Sequence, residues 1–243
     1  MREQFLADQD MAEIICVIGN KGGTGKTTLS HMLCHGLALL DRRAACVMTD
    51  ELREPLRPEG RRYVVADARS AKAREQMMTK LRNLPGWIGV LDGGANRTDT
   101  DIALYELSSL VLLPFRDSAE DLRTVIQDLE RFPRAHALPS QWPHNRWQLE
   151  AADRLIATMP LHLRTRVLPP VMAVSSSKLL LQTQLPDYFP TALNNSTRAL
   201  AQMILGMTEN KEHFAYKAVA PTLPEPATPA APNTAPYQST IRH

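Results

Sequence analysis

Cysteine is scarce in this chain. Three occur in 243 residues, Cys16, Cys34 and Cys46, each inside an apolar segment and none at C-x-x-C spacing. That scarcity argues against a disulfide scaffold and an iron–sulfur cluster, and it assigns the thiols to a core in a reducing cytosol. Long apolar runs are lacking too. None approaches the roughly 18 residues of a spanning helix. Met1 to Asp10 is polar and partly acidic, unlike a secretory signal. An excess of one charge is also missing. Lys and Arg number 28 against 26 Asp and Glu, a net of +2, so only a local basic patch could argue for a nucleic-acid partner. No internal repeat is evident. What remains, 22% charged and 44% apolar residues, is the composition of a globular domain long enough to bury a substantial core.

One stretch is dense in information. Gly19-Asn20-Lys21-Gly22-Gly23-Thr24-Gly25-Lys26-Thr27-Thr28 follows the apolar run Ile14–Ile18 and opens a helical run through Leu29, Met32, Leu33 and Leu37. Strand, glycine loop and helix form the context of a phosphate-binding P-loop. Glycines let backbone N–H groups close around phosphate oxygens, and the helix N-terminus adds partial positive charge. Lys26 would reach the β- and γ-phosphates, and the Thr27 hydroxyl would hold Mg²⁺. The usual spacing asks for glycine at position 20, where this chain has Asn20.

The remaining elements alternate. Strands are expected at 44–48, 61–67, 87–92, 110–114 and 165–171, and helices at 71–84, 118–132, 147–158 and 191–206. Ser118 is a plausible N-cap. Residues 138–142 are too rich in breakers for a strand. Alternation of this kind implies βαβ units and an α/β fold with a mainly parallel sheet flanked by helices. Right-handed crossovers then place ligand loops at the carboxyl ends of the strands, where Asp50 and Asp92 fall. From about 207 to 243, Pro221, Pro224, Pro226, Pro229, Pro232 and Pro236 punctuate Ala and Thr, a composition that reads as a disordered tail. The expected organisation is an N-terminal extension at 1–11, with Met1 or Met11 as start, a domain at 12–206 and the tail at 207–243.

Lys21-Gly22-Gly23-Thr24-Gly25-Lys26-Thr27-Thr28 resembles the deviant Walker A motif of the ParA/MinD ATPases, most closely in its ParA branch. The resemblance implies a P-loop NTPase fold of the SIMIBI type, ATP and Mg²⁺ as cofactors, and an ATP-dependent homodimer. It implies that Lys21 reaches across the dimer to the partner's ATP and that hydrolysis is slow and partner-stimulated. The strand 87–92 resembles Walker B. Asp92 would hold the Mg²⁺ shell with Thr27, and Gly93-Gly94-Ala95-Asn96 would form the switch loop, although relatives more often carry a proline-containing turn there. Relatives end the second strand with two acids one residue apart. This chain reads Met48-Thr49-Asp50-Glu51, so either Asp50 or Glu51 would position the attacking water, with Asp50 favoured. Asn145 is the nearest candidate for an adenine contact.

The resemblance also carries partners. ParA-type ATPases bind DNA nonspecifically, and Arg164, Arg166, Lys178 and Arg198 are the candidates for phosphate contact. The cargo would be a plasmid, a chromosome or a microcompartment such as a carboxysome, reached through an adaptor protein, with a cytoplasmic, nucleoid-associated location. MinD-type attachment to membrane needs a basic amphipathic C-terminal helix, which the stretch 209–243 does not offer. The alternative reading is a low-turnover ATP-binding scaffold. His31 and His35, four apart without a third ligand, are expected to pack rather than bind metal. Trp87, Trp142 and Trp147 are expected as packing anchors.

Overall fold

In the computed structural model of the protein, the described residues are 12–54, 56–94 and 98–218. The expected extension 1–11, Ala95 and Asn96 of the switch loop, and the last part of the tail lie outside them. Seven parallel strands form one sheet in the order β3-β2-β4-β1-β5-β6-β7. They are β1 (Glu13–Val17), β2 (Arg43–Met48), β3 (Val64–Asp67), β4 (Trp87–Asp92), β5 (Leu110–Phe115), β6 (Ala135–Trp142) and β7 (Val171–Met172). The helices are α1 (Lys26–Leu39), α2 (Ala71–Arg82), α3 (Thr98–Leu107), α4 (Ala119–Arg131), α5 (Arg146–Ala157), α6 (Leu161–Arg164) and α7 (Thr191–Thr208), with a 3₁₀ segment at Ser175–Leu181.

Strand geometry sends successive side chains to opposite faces. In β1, Ile14 and Cys16 join the core under α2 to α5, while Ile15 and Val17 join the core under α1 and α7. Both faces are covered, which explains why the strands read as continuous apolar runs. Gly36 of α1 lies against the Thr197 carbonyl of α7, where a Cβ would come within 2.0 Å of the oxygen. The chain fills one side of β1 first, then the other, so β1 sits at the point where strand order reverses and a crevice opens at the carboxyl ends.

The structure corrects several expectations. Residues 138–142 are the core of β6, paired to β5 at Pro114–Leu138 and Phe115–Pro139. Pro139 is tolerated because the outer ladder of β6 skips it, bridging at Ala137–Val167 and resuming at Ser140–Val171. The strand expected at 165–171 is instead a turn after α6, an isolated bridge at Val167 and the start of the two-residue β7. A helix, α3, stands between β4 and β5 with Asp99 and Asp101 in its first turn. Helix α7 runs to Thr208, and the following residues still pack. The Tyr216 N–H donates to the Val167 carbonyl at 2.7 Å and Phe214 lies against Gly206, so packing passes the expected boundary at 206. Trp142 is fully buried as expected, whereas Trp147 is exposed on the first turn of α5. His31 and His35 pack: His31 bonds Tyr63 at 2.7 Å and His35 bonds Asn194 at 3.0 Å.

Candidate functional site

The glycine loop leaves β1 at the centre of the sheet. The Ile18 N–H still pairs with the Leu112 carbonyl at 3.1 Å, and the chain then turns through Gly19 at φ 138° and Gly25 at φ 95°. Gly25 is the residue before α1, and its left-handed backbone is open to glycine without penalty. The Ser140 hydroxyl at the end of β6 donates to the Thr24 carbonyl at 2.6 Å and fixes the loop from the far side.

Lys26 opens α1 and is buried. Its Nζ donates to the carbonyls of Gly19 (2.9 Å) and Lys21 (2.8 Å), so the ammonium bridges the front of the loop. Burial pulls its pKa down, and the nearby charges of Asp101, Asp92, Asp128 and Asp50 oppose that. A buried cation under the influence of four acids, at a helix N-terminus, suits a polyphosphate with its metal.

Asp92 ends β4 and is fully buried. Its Oδ1 accepts from Ser30 at 3.2 Å and the carboxylate also hydrogen-bonds Thr27, while Oδ2 has no partner among the described residues. Burial lifts its pKa to about 6. A buried oxygen without a partner beside a threonine hydroxyl is a donor set of hard oxygens, which fits Mg²⁺. Thr27 and Asp92 would hold the ion, which neutralises phosphate charge when bound. The glycine after Asp92 has a steric reason. A Cβ at Gly93 would meet Ile18 Cγ2 at 2.7 Å and the Val17 carbonyl at 3.0 Å.

Asp50 follows β2, half-buried, and its charge is felt at Lys26. Its Oδ1 accepts the Leu52 N–H at 3.1 Å and its Oδ2 lies 3.5 Å from Arg53 Nε. Glu51 is exposed and lines a separate cleft with Asp67, Arg69 and Ser70. The two acids therefore face different places. Arg53 went unnoticed in the sequence. Its charge also helps hold down the pKa of Asp92, which puts it beside the site. Lys21 forms an ion pair with Glu120 in the first turn of α4, at the surface. The Lys21 ammonium holds the Glu120 carboxyl below its usual range.

The expected adenine contact, Asn145, is the N-cap of α5, its side chain accepting from the Trp147 N–H at 2.9 Å. Gln141 stands nearer the loop. Its Nε2 would lie 3.4 Å from a Cβ on Gly25, and it lines a crevice with Gly25, Thr28, Met172 and Val174. Gln141 has φ 51°, a conformation uncommon outside glycine, which aims its side chain along the loop. No sequence signal marks such a residue in a segment that reads as a breaker.

Among the proposed phosphate contacts, Lys178 and Arg198 are exposed and Arg164 is partly buried, with no partner for its Nε among the described residues. Arg166 leaves the set. Its guanidinium donates to the carbonyls of Leu129 (2.9 Å), Phe132 (2.5 Å) and Ala135 (2.9 Å), closing the C-terminal end of α4. With Nε, Nη1 and Nη2 all bonded to backbone carbonyls, Arg166 is a structural clamp.

No family model matches the chain, and no curated protein matches it in sequence. Solved structures do match in fold. The MinD cell division protein of Aquifex aeolicus aligns at TM-score 0.60 and 16% identity, covering 85% of this chain and 100% of that one. A Cyanothece McdA variant in complex with ATP aligns at 0.55 and 14%, covering 80% and 97%. Cobyrinic acid a,c-diamide synthase of Mycobacterium smegmatis, with bound ADP and magnesium, aligns at 0.58 and 15%, covering 84% and 98%. The chain has the fold of the ParA/MinD-type P-loop ATPases. One fold here carries cell division and a synthase reaction, so activity must come from the site.

Proposed function

We propose that the protein binds ATP with Mg²⁺ and hydrolyses it as a dimer of two copies, acting as a ParA-type positioning ATPase. The observation that carries this reading is the pairing of two lysines on one loop. Lys26 points into the loop beside Asp92 and Thr27, while Lys21 lies outward on an exposed ion pair. Lys26 and the loop amides bind phosphate within one chain. Lys21, free to exchange Glu120 for a more negative partner, neutralises charge on a second copy's nucleotide, as an arginine finger does in trans. Asp50 orients the attacking water, a role supported by the action of its charge on Lys26, whereas Glu51 lines a separate cleft. DNA is held through Lys178 and Arg198 with Arg164, by phosphate contacts that weaken with salt. An adaptor protein links the dimer to a plasmid, chromosome or microcompartment cargo, and the nucleoid is the expected location.

The test compares two variants. Lys26→Ala is expected to weaken nucleotide binding, measured with a fluorescent ATP analogue. Lys21→Ala is expected to keep that binding and to lose hydrolysis and ATP-dependent dimerisation. Full turnover by monomeric Lys21→Ala would overturn the trans role. A second reading, a low-turnover ATP-binding scaffold, is favoured by the ties of Asp50 to Leu52 and Arg53. Turnover with and without DNA separates the two, and co-sedimentation with liposomes tests a MinD-like alternative.

A further inference from the structure

The entrance of the loop is held by two buried acids that come from distant parts of the chain. Asp101 of α3 stands by the Gly19 N–H, which counters the rise that burial gives its pKa, and its Oδ1 has no hydrogen-bond partner among the described residues. Asp128 of α4 takes the next residue at two points: Oδ2 accepts the Asn20 N–H at 3.1 Å and Oδ1 accepts Asn20 Nδ2 at 3.3 Å. Both carboxylates are nearly inaccessible, at 2% and 4% exposure. Asp128 also sits close behind the turn, since a Cβ on Gly19 would lie 3.4 Å from its Oδ2. Asn20 and Asp128 match each other. Glycine, the usual residue at this loop position, offers an N–H and no side-chain amide, so one oxygen of Asp128 would lose its donor.

We propose that Asp128 is a positioning residue for Lys21: by gripping Asn20 on both its backbone and its side chain, it fixes the backbone from which Lys21 projects. Helix α4 holds the loop twice. Glu120 takes the Lys21 side chain at the surface, and Asp128 takes Asn20 in the interior. Exposed ion pairs are weak and screened by salt, whereas buried charge-assisted bonds are strong. The outer hold therefore releases and the inner one stays, so Asn20 is the pivot about which Lys21 moves from its own chain's Glu120 to the nucleotide of a second copy. This rests on the reading of Lys21 as a trans-acting group.

The test uses the full chain with Asp128→Ala and Asp128→Asn, each alone and with Asn20→Gly. Four quantities are measured: thermal unfolding, affinity for a non-hydrolysable fluorescent ATP analogue, turnover against protein concentration, and amide hydrogen exchange in the peptide spanning 19–22. A misplaced catalytic group costs about 10- to 100-fold, and Asp128→Ala is expected to lower kcat by that amount. Nucleotide affinity should stay within about threefold, because Lys26 and the later amides carry it. Exchange at Asn20 and Lys21 should accelerate. Asp128→Asn, which still accepts from one donor, should recover part of kcat. In the Asn20→Gly background the further loss on Asp128→Ala should shrink to less than about threefold, since coupled residues are not additive. Equal losses of affinity and kcat, tracking unfolding, would overturn the proposal by making Asp128 merely structural. Unchanged exchange would overturn it as well. A wild-type chain with no turnover at any concentration would overturn the ATPase reading and this one with it. Normal wild-type turnover with an Asp128→Ala kcat equal to wild type would overturn this one alone.

Discussion

Asp101→Asn should stabilise the nucleotide-free protein above neutral pH. Asp101 lies beside the glycine loop at 2% exposure, and burial lifts its pKa to about 7, with Asp128 adding to the rise and Lys26 opposing it. The unfolded chain ionises this carboxyl near 3.8, while the folded chain keeps its proton to about 7. Between those limits the folded state binds more protons, so wild-type stability falls as pH rises from about 4 to about 7 and is level beyond that. One pKa unit corresponds to about 1.4 kcal/mol, so the ionised carboxyl costs the fold on the order of 4 kcal/mol as a ceiling. Relaxation and water entry reduce that figure, leaving an expected gain of about 1–3 kcal/mol for the asparagine variant. Asparagine keeps the shape and an oxygen for the Gly19 N–H, and it has no proton to lose. Urea unfolding of both proteins at about pH 4.5, 6 and 8 measures the difference. It should be smallest at the lowest pH, where the unfolded carboxyl is only beginning to ionise fully, and grow to its full value by the highest. A difference that is constant with pH, or that shrinks as pH rises, would refute the reasoning about a buried acid here.

Three further outcomes follow from the packing. Gly36→Ala puts a Cβ 2.0 Å from the Thr197 carbonyl, so α1 and α7 must part. Overpacking should outweigh the gain in helix propensity, for a net loss of about 1–3 kcal/mol by urea unfolding. Arg166→Ala strips the donors from three carbonyls around the end of α4 and should cost about 2–3 kcal/mol. Its retention on DNA at low salt should equal wild type for equal folded protein. Asn145→Ala removes the cap of α5 and should cost about 1 kcal/mol by thermal unfolding. ATP affinity in that variant should be unchanged, and a loss there would restore Asn145 as a base contact.

Local chemistry fixed a good part of this protein before any folding is considered. The glycines and lysines of 19–28 need only their neighbours, a strand before and a helix after, to define a phosphate loop, and the sequence shows both. Asp92 was legible because the strand 87–92 resembles Walker B, and Ser118 because a cap acts within one turn. Residues whose meaning depends on a distant partner were not legible. Pro139 reads as a breaker until the outer ladder is seen to skip it. Arg166 reads as a surface cation until the end of α4, the turn after it and the start of β6 present three carbonyls to it. Asp101 and Asp128 carry no signal in the sequence, since nothing near them there shows that they converge on Gly19 and Asn20. Motifs are local because backbone conformation is local, so sequence alone determined the nucleotide loop. Burial and charge pairing arise only when segments far apart in the chain meet, 108 residues for Asn20 with Asp128 and 31 for Arg166 with Ala135, so the tertiary structure alone decided which acids hold that loop and which arginines remain at the surface.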